Sequence, residues 1–130
     1  MTDTKADNGR FVWYEHLTKD PKAAIGFYTQ VMGWTTQPFG EEGYTMWVGS
    51  QGPLGGVMKL EGESANAPPH WMAHVLVENV DATAAQVKKL GGTIHYGPTD
   101  IPTVGRFAVI GDPQGAILSI FTPTAPMTLH

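Results

Sequence analysis

The 130 residues include no cysteine, which removes disulfides, thiolate-held zinc, iron–sulfur clusters and cysteine nucleophiles together. Basic residues are few. Eight Lys plus Arg stand against twelve Asp plus Glu, for a net charge of −4 with no basic run, so a nucleic-acid backbone is not the expected partner. No apolar stretch approaches the roughly 18 to 20 residues that cross a bilayer, and the polar start MTDTKADNG lacks the charged-then-apolar order of a signal peptide. These absences predict a cytoplasmic protein that engages neither membrane nor nucleic acid. What is present, 42% hydrophobic and 15% charged residues, suits one compact domain with a real core.

The chain states one pattern twice. Asp20 to Gly33 to Trp34 and Asn79 to Gly92 to Thr93 are offset by 59 residues (79 − 20 and 92 − 33). In the first copy, Phe11 to Leu17 is aromatic and β-branched, as strands are. Asp20 reads as an N-cap with Pro21 at the first helical position. Ala24, Phe27, Tyr28 and Val31 then recur at i, i+3, i+4, i+7, a stripe expected to face a sheet, and Gly33 supplies the left-handed stop. Strands are expected at Trp34–Phe39, Tyr44–Val48 and Leu54–Lys59, separated by Gly-Glu-Glu-Gly and Ser-Gln-Gly-Pro turns. In the second copy Trp71–Val77 is a strand, Asp81 is expected to cap a helix bearing Ala84, Val87, Lys88 and Leu90, and Gly91-Gly92 ends it. Strands at Thr93–Gly97, Phe107–Ile110 and Ala116–Thr122 follow, the last after an Asp112-Pro-Gln-Gly turn.

Both copies therefore read βαβββ. The fold expected is α+β: two βαβββ modules related by pseudo-twofold symmetry, forming a curled, cup-like sheet with helices outside. A tail over 1–9 precedes a single domain at 10–122, made of module one (10–60), a linker (61–69) and module two (70–122). A Pro-rich tail is expected over 123–130. Gly55-Gly56 lacks the spacing of a phosphate loop and any helix after it, so nucleotide binding is set aside.

Asp20-Pro21 followed by FYTQVMGW, then ENVDATAAQVKKLGG, then GRFAVIGDPQGAILSIF resemble the vicinal oxygen chelate superfamily, also called the glyoxalase, bleomycin-resistance and dioxygenase superfamily. Trp-x-Glu in the first strand and Pro-His-Trp opening the second module are most similar to a glyoxalase-like subgroup. The resemblance implies that metal-dependent members would place ligands for Fe, Mn, Ni or Zn on the first and last strands of the modules. Carried onto this chain, those positions are Trp13, Met72 and Ser119, with no carboxylate in the window 55–60. None suits such a metal, so no metal ligand and no cofactor are expected, a divalent metal being only the alternative.

Strand alternation puts Trp13, Glu15 and Leu17 on one face of the first strand, and Met72, His74 and Leu76 on the equivalent face of its repeat. Glu15 and His74 are themselves 59 apart (74 − 15). In a cup lined by Trp13, Met72, Trp47, Met58 and Ser119, this pair has three open readings. It is a structural ion pair or hydrogen bond, or it recognises the polar end of a ligand, or it works as acid and base or as relocated metal ligands. His16 alternates to the helix side, unless a one-residue slip swaps it inward. His70 and His95 read as solvated or locally bonded. Arg106, at the mouth of a strand, either meets a ligand carboxylate or is an exposed strand-end charge.

The resemblance and these residues together imply a small-molecule binding protein, holding a partly hydrophobic ligand in the cup without metal. Trp13, Glu15, Trp47, Met58, Met72, His74, Arg106 and Ser119 would line it. The alternative is a glyoxalase-like lyase, isomerase or dioxygenase-type enzyme using Glu15 and His74. A homodimer is implied by resemblance.

Overall fold

The computed structural model describes residues 5–39, 44–62 and 65–125. The fold is α+β. Its elements in chain order are β1 (Phe11–Thr18), α1 (Pro21–Met32), β2 (Thr35–Phe39), β3 (Tyr44–Gly49), β4 (Gly52–Lys59), β5 (His70–Leu76), α2 (Val80–Lys89), β6 (Thr93–Ile101), β7 (Gly105–Gly111) and β8 (Ile117–Pro123). The expected turn at 40–43, part of the 61–69 linker and the outer ends of both expected tails lie outside the described residues. The chain divides into two compact units, Trp13–Met72 and a second one that begins at Ala73 and takes in the segment ending at Val12.

In the first unit the strand order is β2-β3-β4-β1. β1 and β4 run parallel with Glu15 opposite Gly56 and Leu17 opposite Met58, and β4, β3 and β2 continue antiparallel. The second unit has the order β5-β8-β7-β6, with His74 opposite Ser119 and Leu76 opposite Phe121 in its parallel pair. The 59-residue offset holds for the opening strands. It lengthens to 63 at the closing ones (119 − 56 and 121 − 58), and the pairing of corresponding residues is preserved.

Local chemistry accounts for the helix ends. Asp20 accepts a hydrogen bond from the Ala23 N–H at 3.1 Å, Pro21 opens α1, and Gly33 leaves it at φ 71°, a left-handed stop that glycine takes without a Cβ penalty. At α2 the cap is Asn79, which accepts from the Ala82 N–H at 3.0 Å. Asp81, expected as the cap, lies in the first turn instead, where a negative charge suits the helix dipole.

The inward face of α1 is rotated from the expected stripe. Phe27 and Val31 are each 58% exposed, and Pro21, Ala24, Ile25, Tyr28 and Thr29 are the half-buried positions. α2 follows its periodicity more closely. Val80 and Ala84 are buried and Val87 half-buried, whereas Leu90, expected on the apolar stripe, is exposed at the C-cap. The core of the second unit joins Val80 to Val77, Ala108 and Ile120, with Ile110 packed beside them.

Both expected tails are partly tied down. The Gly9 N–H donates to the Leu76 carbonyl, Leu76 N–H to Arg10, and Glu78 N–H to the Asn8 side chain. At the other end β8 runs through Pro123, and Thr124 donates back to Val104 and Thr103. These bonds satisfy strand-end groups that composition alone leaves unassigned.

Candidate functional site

Glu15 is the centre of a polar cluster in the first unit. β4 lies between β1 and β3, so a side chain from β3 reaches Glu15 only by crossing β4. Gly56, the register partner of Glu15, makes that crossing possible, because a Cβ there would land on the hydroxyl of Tyr44. Tyr44 Oη donates to Glu15 Oε1 at 2.8 Å. The Trp13 indole N–H is shared between Glu15 Oε1 at 3.2 Å and Tyr44 Oη at 3.1 Å. Glu15 Oε2 is buried and has no hydrogen-bond partner among the described residues.

Burial pushes the Glu15 carboxyl up to about 7, and the Tyr44 and Trp13 donors only partly offset that push. Burial, followed by the nearby Glu15 charge, raises Tyr44 as well. Tyr44 therefore keeps its proton throughout the physiological range and remains a donor.

The equivalent place in the second unit is built from different chemistry. His74 faces Ser119 across the β5–β8 pair, and the rings of Phe107 and Phe121 lie with centroids 6.5 Å from the imidazole. His74 Nε2 and Ser119 Oγ are buried without a partner among the described residues. Burial lowers His74 to about 4, so the imidazole is neutral. Phe107 stands 63 residues after Tyr44 (107 − 44), as Ser119 does after Gly56.

The remaining sequence candidates divide by face. Met58, two residues beyond Gly56 on β4, shares the Glu15 side and is 43% exposed, and Met72 is half-buried on β5. Trp47 does not join them. Tyr44 and Met46 take the Glu15 side of β3, and Trp47 turns to the other face, fully buried beside His16, Tyr28, Trp34 and Trp71. Arg106 is likewise turned away from His74. Its guanidinium makes two hydrogen bonds to Asp81 of α2, at 2.8 and 3.0 Å, and one to Asp100 at 3.1 Å. Its neighbour Phe107 takes the His74 side, so alternation along β7 gives Arg106 to the helix. This is a surface ion-pair cluster on the α2 side. His16 faces α1, edge-on to Tyr28 and stacked at 4.5 Å on Trp71. His70 bonds locally to the Pro68 carbonyl.

Two features escaped the sequence reading. Tyr44 is one: alternation along β3 puts it on the same face as Met46, which lies opposite Gly56 and so in line with Glu15, and only the side chain's reach back over Gly56 joins it to the carboxyl. The second is an aromatic wall on the α1 side, where an open apolar pocket of about 510 Å³ is lined by Tyr14, Tyr28, Met32, Trp34, Leu54 and Trp71. The signal was the placement of all four tryptophans between residues 13 and 71.

The residues at the positions implied for metal do not fit a divalent cation. The Trp13 indole offers a proton and no lone pair, and it is committed to Glu15 and Tyr44. Met72 and Ser119 supply a thioether and an un-ionised hydroxyl, poor partners for such a metal. Among the described residues no three His, Asp or Glu side chains converge as a metal site requires.

Comparison with known proteins agrees with this fold. The chain is 38% identical over 120 residues to the Mycobacterium bovis protein named "Putative glyoxylase CFP32", covering 90% of this chain and 45% of that one. It is 27% identical over 136 residues to the Streptomyces peucetius anthracycline biosynthesis protein DnrV, covering 91% and 48%. The chain thus spans about half the length of the curated relatives it matches. Among solved structures, Streptomyces coelicolor methylmalonyl-CoA epimerase superposes with a TM-score of 0.59 at 21% identity, covering 91% of this chain and 99% of that one. A Legionella pneumophila chain described as NAD-dependent benzaldehyde dehydrogenase gives 0.60 at 23%, covering 86% and 98%. At those identities the two structures share the fold. The Glyoxalase/Bleomycin resistance protein/Dioxygenase superfamily model matches residues 10–120, and the chain belongs to that superfamily.

Proposed function

We propose that this protein binds a small, partly hydrophobic organic molecule through the Glu15 carboxyl, without a metal. The observation that carries this reading is the asymmetry of Glu15: one oxygen is held by two donors, and the other is buried with no partner among the described residues. An unsatisfied buried polar atom is costly, and a ligand that donates to Oε2 removes that cost. Trp13, Met58 and Met72 supply apolar, polarizable surface from the same unit, which suits a flat or aliphatic body carrying few polar groups. A relative named for anthracycline biosynthesis supports an aromatic ligand. The exposed Phe27 and Val31 of α1 support the further reading that the protein pairs as a homodimer.

Thermal-shift screening with neutral, hydroxylated aromatic compounds tests the reading. A ligand present at a hundred times its Kd stabilises the native state by about 2.7 kcal/mol. The expected hits lose their shift in Glu15→Gln. A panel without hits, or near-stoichiometric metal in protein purified without chelator that disappears in Glu15→Ala, would sink it.

A second reading is favoured by the same carboxyl. A group that titrates near 7 is suited to proton transfer at neutral pH, so the alternative is a lyase or isomerase in which Glu15 acts as acid or base. That reading requires turnover of a bound compound that Glu15→Gln abolishes.

A further inference from the structure

The two oxygens of Glu15 are not interchangeable. Oε1 receives the Tyr44 O–H and part of the Trp13 N–H, which together fill the acceptor capacity a carboxylate oxygen ordinarily uses. The direction of these bonds is fixed by valence. Tyr44 Oη accepts from the Trp13 N–H, so the single phenolic proton is free to point at Glu15. The position of the ring is fixed by Gly56, over which Tyr44 passes and where any side chain would occupy the place of its hydroxyl. The repeat supplies an internal control: the equivalent strand position holds Phe107, so the fold accepts a ring there without an oxygen. The Tyr44 hydroxyl is therefore explained by Glu15 and not by the strand.

We propose that Tyr44 is the positioning residue of the Glu15 site, and that by occupying Oε1 it restricts the site to ligands offering one hydrogen-bond donor, a phenolic or enolic hydroxyl. This rests on the reading of Glu15 as the ligand-binding carboxyl. A forked amidine or guanidinium pairs best with both oxygens of a carboxylate and finds only Oε2 available. A single hydroxyl needs no more than Oε2, and in a site shielded from water that one bond is not diluted by solvent competition.

The test combines a titration that needs no ligand with two probes. The carbon-13 resonance of the Glu15 carboxyl is followed against pH in wild type and Tyr44→Phe, and 1-naphthol and benzamidine are titrated into both proteins at pH 8, where Glu15 is mostly ionised. Removing a donor to the carboxylate raises its midpoint, so Tyr44→Phe should titrate above wild type. The variant should narrow the preference for 1-naphthol over benzamidine about tenfold, because Oε1 then lies open to the second N–H of the amidine fork, one more hydrogen bond to a charged group. An unmoved or lowered midpoint overturns the proposal, as does benzamidine binding wild type as tightly as 1-naphthol. A raised midpoint with no 1-naphthol binding defeats the ligand reading and the selection built on it, and leaves the positioning of Glu15 by Tyr44 supported.

Discussion

Tyr44 and Phe107 hold equivalent places in the two units, and the one oxygen by which they differ separates a bonded carboxyl from an imidazole surrounded by rings. Tyr44 donates to Glu15 at 2.8 Å, and Phe107 presents its ring to His74 at 6.5 Å. Burial then acts on both titratable groups in the same sense. It disfavours the charged form, which moves an acid up and a base down: Glu15 to about 7 and His74 to about 4.

The first prediction concerns pH. Glu15 rises from an ordinary 4.5 to about 7, so its contribution is full below 4.5 and is lost as pH climbs through 7, a change of about 3 kcal/mol. His74 falls from 6.5 to about 4, so its contribution is full above 6.5 and is lost as pH drops toward 4, also by about 3 kcal/mol. The two slopes oppose each other between pH 4.5 and 6.5. Glu15→Gln should therefore unmask acid destabilisation in that window, and His74→Phe should unmask destabilisation by base. Urea unfolding of both variants at pH 4.5, 5.5 and 6.5 reads the slopes, and parallel profiles would contradict these assignments.

Gly56→Ala should destabilise by about 2–3 kcal/mol, since its methyl meets the Tyr44 hydroxyl and the ring must leave its bond to Glu15. In a Tyr44→Ala background the same change should cost much less. A double-mutant cycle by chemical denaturation measures the coupling, and a coupling near zero would remove Gly56 from the account.

Loss of either helix cap should cost about 1 kcal/mol. Asp20→Ala and Asn79→Ala both delete a side chain that accepts a backbone N–H. Asp81→Ala, which leaves the Asn79 cap intact, should cost less than Asn79→Ala. Equilibrium unfolding of the three variants decides whether Asn79 or Asp81 is the cap.

Arg106→Gln should leave 1-naphthol affinity unchanged, because the guanidinium is committed to Asp81 and Asp100 on the α2 side. Isothermal titration of wild type and variant checks this. A loss comparable to that of Glu15→Gln would return Arg106 to the site.

The order of elements was legible because turn chemistry and periodicity are local: Asp20-Pro21, Gly33 and Asp112-Pro-Gln-Gly each announce a boundary within a few residues. The side of β1 that carries Glu15 followed from alternation, and so did the helix-facing side that carries His16. Alternation fails to carry across strands without a register. Trp47, expected beside Glu15, takes the opposite face with His16 for that reason. The Phe27 and Val31 stripe misled because helical periodicity marks an apolar face without saying that anything covers it.

By itself, then, the sequence determined the two βαβββ units, the 59-residue equivalence of Glu15 and His74, and the unsuitability of Trp13 and Met72 as metal ligands. These depend on residue type and on spacing along one strand or helix. Only the tertiary structure decided that Glu15 is bound by Tyr44, that Gly56 clears the path between them, and that His74 lies among Phe107 and Phe121. Each depends on contacts between different strands, from 12 residues apart for Tyr44 and Gly56 (56 − 44) to 47 for His74 and Phe121 (121 − 74), brought together by hydrogen-bond registers that alternation along one strand does not specify.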